Sequence, residues 1–204
     1  MNIDELQLEI DRIRSWRKLE LSQARAIAES RAGRAEEAYL CRSWAVMIYA
    51  HCDQAIKAVS RAYLDYLKVH PREGYDYRTA WLSFHGKEAI RHSSDARYLL
   101  CRPDVAEFRT DLIGGINQKA VIDTSNFSYP MLRFLSDWVV QCTFDHSLYR
   151  AFCSTLKEKR DAIAHGEEIF LRSVDDCISW HDPAISLLDG FSESALETAL
   201  LHPA

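Results

Sequence analysis

Glycine and proline are scarce, with 7 and 5 among 204 residues. Alanine, leucine, glutamate and arginine are plentiful instead, which is the balance of a mainly helical protein. Long apolar runs are missing, and no stretch approaches the length of a membrane span. The charged, amphipathic N-terminus does not read as a signal peptide. The six cysteines (Cys41, Cys52, Cys101, Cys142, Cys153, Cys177) form no C-x-x-C pair, and none stands at metal-ligand spacing from a histidine. They read as reduced thiols of a cytoplasmic protein, each filling a small place in a core. Excess basic charge is absent too: at a net charge of −5 no global field attracts nucleic acid. A polyanion must then be held by a local patch, or by patches pooled between subunits.

What is present is enough apolar material, 48% of the chain, for one real core. The expectation is a single all-α domain over residues 1–204, built as an antiparallel bundle of four or more long helices. Residues 2–29 repeat apolar positions at Ile3, Leu6, Ile10, Ile13, Trp16, Leu21, Ala24 and Ile27, which predicts a long N-terminal helix, packed along the body or standing off as an arm. Asn2 or Asp4 can cap it. A second helix is predicted over 34–69, apolar nearly all round its middle and therefore central. Residues 75–128 are the least legible and read as an insertion between bundle helices, with short helices suggested at Trp81-Leu82 to Phe84, over 91–100 and over 103–112, and a break at Gly114-Gly115. Beyond it, 129–143 is helical with Pro130 in the first turn. Asp145 caps a helix that ends at Gly166, and Ser173 caps a last helix that Pro183 kinks without ending.

Three polar residues interrupt the apolar second helix: His51, Asp53 and Lys57. Either they occupy its one exposed strip, or they line a site on the bundle.

The stretch Leu156-Lys157-Glu158-Lys159-Arg160-Asp161-Ala162-Ile163-Ala164-His165-Gly166-Glu167 concentrates the chemistry. Tyr149, Phe152, Cys153, Leu156 and Ile163 form one helical stripe, and Arg160 falls inside it. A cation there needs a partner, and a second copy of the chain covering this face would supply one. Asp161 and His165, four apart, can meet on one face, and the carboxylate and the negative helix end both favour an imidazolium. Arg160 suits a phosphate, and Lys157 and Lys159 add positive charge. An exposed arginine and a helix-capping histidine explain the same residues without a site. On an ideal helix the Arg160 and His165 side chains point about 140° apart. Either the last turn unwinds or a partner subunit completes the geometry.

Arg160-Asp161-Ala162-Ile163-Ala164-His165-Gly166-Glu167 resembles the signature of the HEPN superfamily, an arginine and a polar residue followed by a histidine at the end of a bundle helix. Tyr49-Ala50-His51, Ala62-Tyr63-Leu64-Asp65-Tyr66-Leu67 and Trp16-Arg17-Lys18-Leu19-Glu20-Leu21 resemble a prokaryotic ribonuclease branch of that superfamily. Cys52-Asp53-Gln54 stands where the branch carries Trp-Glu-Gly and keeps only the carboxylate. The resemblance covers roughly residues 10–70 and 125–200. It implies a dimerising HEPN-like bundle and a composite endoribonuclease site that uses no metal and no cofactor. Arg160 and His165 become its catalytic pair, with Asp161 as polar helper, and His51, Asp53, Lys57 and Lys159 become candidate substrate contacts. The implied partners are RNA, a second copy, and an antitoxin or defence-system protein. The alternative is a HEPN module that binds a nucleotide or a protein and cuts nothing. A further alternative is a helical adaptor in which the motif is accidental.

Overall fold

The structure is a computed structural model and describes residues 1–77, 79–81, 84, 122, 126–167, 171 and 173–201. Every regular element among them is helical. Two long helices open the chain, α1 (Ile3–Ser30) and α2 (Glu37–Val69). Then α3 (Tyr129–Arg133) widens directly into a π-helical turn over Phe134–Val140. A 3₁₀ turn (His146–Tyr149) leads into α4 (Arg150–Ala164), and α5 (Val174–Leu200) closes the chain. The predicted bundle is all-α as expected.

Local chemistry sets the helix ends. At α1 the Asn2 side chain accepts from the Glu5 amide, and Glu5 accepts in return from the Asn2 amide, a full capping box. Ser173 and Asp176 repeat this device at α5. Pro183 lies inside α5, which runs on past it as the sequence suggests. Asp145 caps the 3₁₀ turn by accepting from the Ser147 amide.

The core is a three-helix layer of α1, α2 and α5. Leu6, Ile10 and Leu21 of α1 meet Trp44, Ile48 and Ile56 of α2 and Leu187, Leu188 and Phe191 of α5, all buried. The first helix is therefore no free arm. Its polar flank is tied to α5 by Lys18–Asp189 at 2.6 Å, Arg14–Glu193 at 3.2 Å and Arg25–Asp182 at 3.2 Å. Such half-exposed pairs fix register more than they add stability.

Helix α4 lies against α2 and runs antiparallel to it, with Cys153 beside Cys52 and Arg160 beside Tyr49. The π-helical turn packs on α2 as well. Its end is fixed from outside. Gln141 takes a left-handed conformation (φ 54°) and exchanges hydrogen bonds with the Asp76 backbone at 2.8 and 2.9 Å, while the Tyr75 hydroxyl donates to the Val139 carbonyl. Of the predicted insertion, Trp81 and Phe84 lie in helical conformation. The short helices expected over 91–100 and 103–112, the break at Gly114-Gly115, and Cys101 lie outside the described residues.

Candidate functional site at the end of the fourth helix

Helix α4 ends in a complete Schellman motif. Gly166 adopts φ +73°, its amide donates to the Ile163 carbonyl at 3.1 Å, and the Glu167 amide reaches the Ala162 carbonyl at 2.9 Å. The His165 amide still donates to Asp161 at 2.9 Å. The last turn therefore stays wound, and the side-chain divergence expected of an ideal helix persists. Arg160 and His165 face different surroundings.

Arg160 turns back onto α2. Its Nη2 donates to the Tyr49 hydroxyl at 2.7 Å, its guanidinium lies 4.1 Å from the centre of the Tyr49 ring, and Nη1 is 2.9 Å from an Asp161 oxygen. Tyr49 is fixed in turn, with its hydroxyl donating to the Phe127 carbonyl at 3.3 Å and its ring edge-on to Phe127. The side chain of Arg160 keeps 26% exposure. The sequence-based reason for a dimer, that one bundle leaves Arg160 without a partner, therefore fails. Tyr49 and Asp161 of the same chain supply partners through hydrogen bonds, a ring face and a carboxylate.

His165 is exposed and lines a cavity of about 660 Å³. Lys157, Asp161 and Ala162 of α4 share its wall, and Ser128, Tyr129 and Pro130 form the opposite one. Asp161 does not pair with the His165 ring as its spacing suggested. Its carboxylate takes Lys157 at 2.8 Å and Arg160 at 2.9 Å. The hydrogen bond from Lys157, then the charges of Arg160 and His165, hold the Asp161 carboxyl below its ordinary range. An anionic carboxylate so placed can orient cations but is poorly suited to give up a proton.

The other candidates separate. His51 is buried between α1 and α2, 3.0 Å from Glu20 and edge-on to Trp16. Burial pushes its pKa down, with Glu20 opposing. Asp53 and Lys57 form an ion pair at 2.8 Å, and Lys57 is 2% exposed. Tyr49, Asp53 and Lys57 share one stripe of α2, and Tyr49 is the one that accepts from Arg160. Lys159 lines the cavity.

The sequence marks Tyr49 only within the family resemblance, and nothing in it singles out Tyr129 or His146 as site residues. The Tyr129 hydroxyl is 3.1 Å from His146 Nδ1, and His146 Nε2 is 3.1 Å from Asp137. Nothing local signals these contacts, because each partner lies on a different element. Among the described residues no group of three or more acidic, histidine or cysteine side chains could hold a metal ion. No helix there is long and apolar enough to cross a membrane.

A protein-family model described as HEPN_MAE_28990-like HEPN matches residues 6–202. The chain belongs to this HEPN family. The match spans nearly all of the chain, including the insertion that sequence resemblance left uncovered. No curated protein and no solved structure matches. HEPN domains include ribonucleases and nucleotide-binding modules, and the fold of this one places an Arg-x4-His segment at a capped, accessible helix end.

Proposed function

We propose that this HEPN protein is a metal-independent endoribonuclease, acting as a toxin or an anti-phage defence effector at a site composed by two copies of the chain. One observation carries the reading. The wound, capped end of α4 holds His165 in a cavity of about 660 Å³ together with Lys157 and Asp161, while Arg160 waits one turn back, a quarter exposed. In this reaction His165 takes the proton of a ribose 2′-OH. The freed oxygen attacks the adjacent phosphorus, and the bond to the 5′-oxygen breaks. The leaving oxygen receives a proton from His165 of a second copy, giving a 2′,3′-cyclic phosphate and a 5′-hydroxyl end. Arg160 and Lys157 offset the charge that grows on the phosphoryl oxygens. The divergence of Arg160 and His165 within one chain supports the composite site, because a second copy can bring its arginine to the first copy's histidine.

The test is RNA cleavage in the presence of EDTA. Wild type should give cyclic-phosphate ends, and Arg160→Ala and His165→Ala should each lower the rate by about 10²- to 10⁴-fold with unchanged circular dichroism. A double variant as active as wild type refutes the reading. So does a wild-type protein that stays monomeric in light scattering while it cleaves.

A second reading has its own support: a HEPN module that binds a nucleotide or a partner protein and cuts nothing. Arg160 is already held by Tyr49 and paired with Asp161, as a structural arginine would be. Toxicity and cleavage both absent in wild type, with nucleotide binding retained, would favour it.

A further inference from the structure

We propose that the groove running from His165 across Tyr129 to Trp138 is a track for single-stranded RNA, with Trp138 as the stacking platform for one unpaired base. The inference rests on the ribonuclease reading and adds the form of the substrate.

Two cavities meet at Tyr129 and Pro130. The first, about 660 Å³, holds His165. The second, about 360 Å³, is lined by the same Tyr129 and Pro130 with Arg133, Phe134 and Trp138. Its volume lies in the range of small-ligand sites, about 300–1,000 Å³. An aromatic floor beside an arginine is the composition that holds single strands, since every base offers a π-face and every linkage a charge. Trp138 is 44% exposed, a little less than Trp16 at 48%, and unlike Trp16 it lines one of these two cavities. It is nonetheless fixed from one side, its ring meeting Phe134 edge-on at 6.2 Å. The π-helical turn places Phe134 and Trp138 on the same side, and such turns recur at functional sites.

The charges follow the same line. Arg133 stands at the far end, Arg150 lies with its guanidinium 5.6 Å from the Tyr129 ring, and Lys157 and Lys159 border His165. Three of the nearby carboxylates are engaged: Asp137 with Arg133 and with the His146 ring, and Asp161 and Glu158 with neighbouring lysines, while Glu167 also lines the His165 cavity. In a chain of net charge −5, this line of cations suits a polyanion. Beneath the groove, Asp137, His146 and Tyr129 form a chain of contacts at 3.1 Å each, which fixes the Tyr129 ring that both cavities share. An A-form duplex keeps its bases stacked and paired, so it cannot lay one on Trp138.

The test uses a labelled single-stranded 2′-O-methyl RNA oligonucleotide, in which the attacking hydroxyl is blocked, and a duplex of the same sequence. Wild type should bind the single strand more tightly than the duplex. Trp138→Ala should weaken single-strand binding about 5- to 100-fold, Trp138→Phe should restore most of it, and Arg133→Ala should reduce its salt dependence. With cleavable RNA, the loss in Trp138→Ala should fall on KM. Equal affinity of Trp138→Ala and wild type overturns the proposal, as a patch reserved for a protein partner would give. A duplex bound as tightly as the single strand overturns it too. Trp138-dependent binding without any cleavage would keep the track and reject the nuclease. Cleavage with a KM indifferent to Trp138 would do the reverse.

Discussion

Asp53 and Lys57 on α2, and Lys157 and Asp161 on α4, are the same two residue types at the same i,i+4 spacing, each pair joined at 2.8 Å. Lys57 is 2% exposed, whereas the side chain of Lys157 is 42% exposed. The first pair has been withdrawn from water by the bundle. The second lies on the wall of an open cavity. Sequence order differs as well. In α2 the acid precedes the base, as the helix dipole prefers. In α4 the acid comes last, one turn from the negative helix end, where a carboxylate is disfavoured. A local rule broken at an accessible site points to chemistry, while the same charges sealed within α2 point to architecture.

Breaking one partner of each pair is the sharpest way to test the contrast. Lys57→Met leaves Asp53 buried without its cation and should destabilise the protein by about 3–5 kcal/mol in chemical denaturation. The double change Asp53→Leu with Lys57→Met should recover most of that loss. If Lys57→Met unfolds at the wild-type denaturant midpoint, the α2 pair is not the structural one.

Next in size is Tyr49, the link between the two helices. Tyr49→Phe keeps the ring under Arg160 and removes the hydroxyl that Nη2 meets at 2.7 Å. Cleavage should fall about tenfold, with about 1 kcal/mol of stability lost. A rate equal to wild type would separate Arg160's position from Tyr49.

A smaller effect tests the sealed face through pH. Burial lowers the pKa of His51 and of His181. The unfolded chain therefore takes up a proton before the folded one does. Stability is full above the unfolded value, about 6.5, and declines as pH falls through it toward the lower folded values. His51→Gln should flatten part of that decline in thermal melts between pH 8 and pH 5. An unchanged slope would show that His51 is not desolvated.

The smallest change in stability should come from Lys157→Ala, within about 0.5 kcal/mol, accompanied by weaker RNA binding that is less sensitive to salt. A large destabilisation would make the open pair structural too.

Much of this contrast was already visible in the residues, though not all. Helix positions follow from the 3.6-residue recurrence of Leu6, Ile10 and Ile13, and from caps such as Asn2 and Ser173, because both are local. The Gly166 stop and the divergence of Arg160 and His165 follow from helix geometry alone. Three features were hidden. The π-helical turn lies within a correctly located helix, but apolar spacing does not specify which carbonyl each amide meets. His51, Asp53 and Lys57 are close in sequence yet enter different surroundings, since a face acquires meaning only from what packs on it. Tyr49 lies 111 positions from Arg160, and no spacing pattern reaches so far. The expected Asp161–His165 pair gave way because Lys157 and Arg160 are permanent cations on the same carboxylate.

The π-helical turn over Phe134–Val140 has a genetic corollary. Such a turn holds one residue more than the α-turn it replaces. The extra residue widens the turn without carrying its rotation onward, so loss of a single codon within it closes the widened turn while the flanking residues keep their places. Tyr129 and Pro130, on the unaltered side, would stay where they are. A codon lost between Phe134 and Trp138 would shorten the step between their rings from i,i+4 to i,i+3. Among relatives, the length of this segment would then tune the spacing of the aromatic surface beside His165.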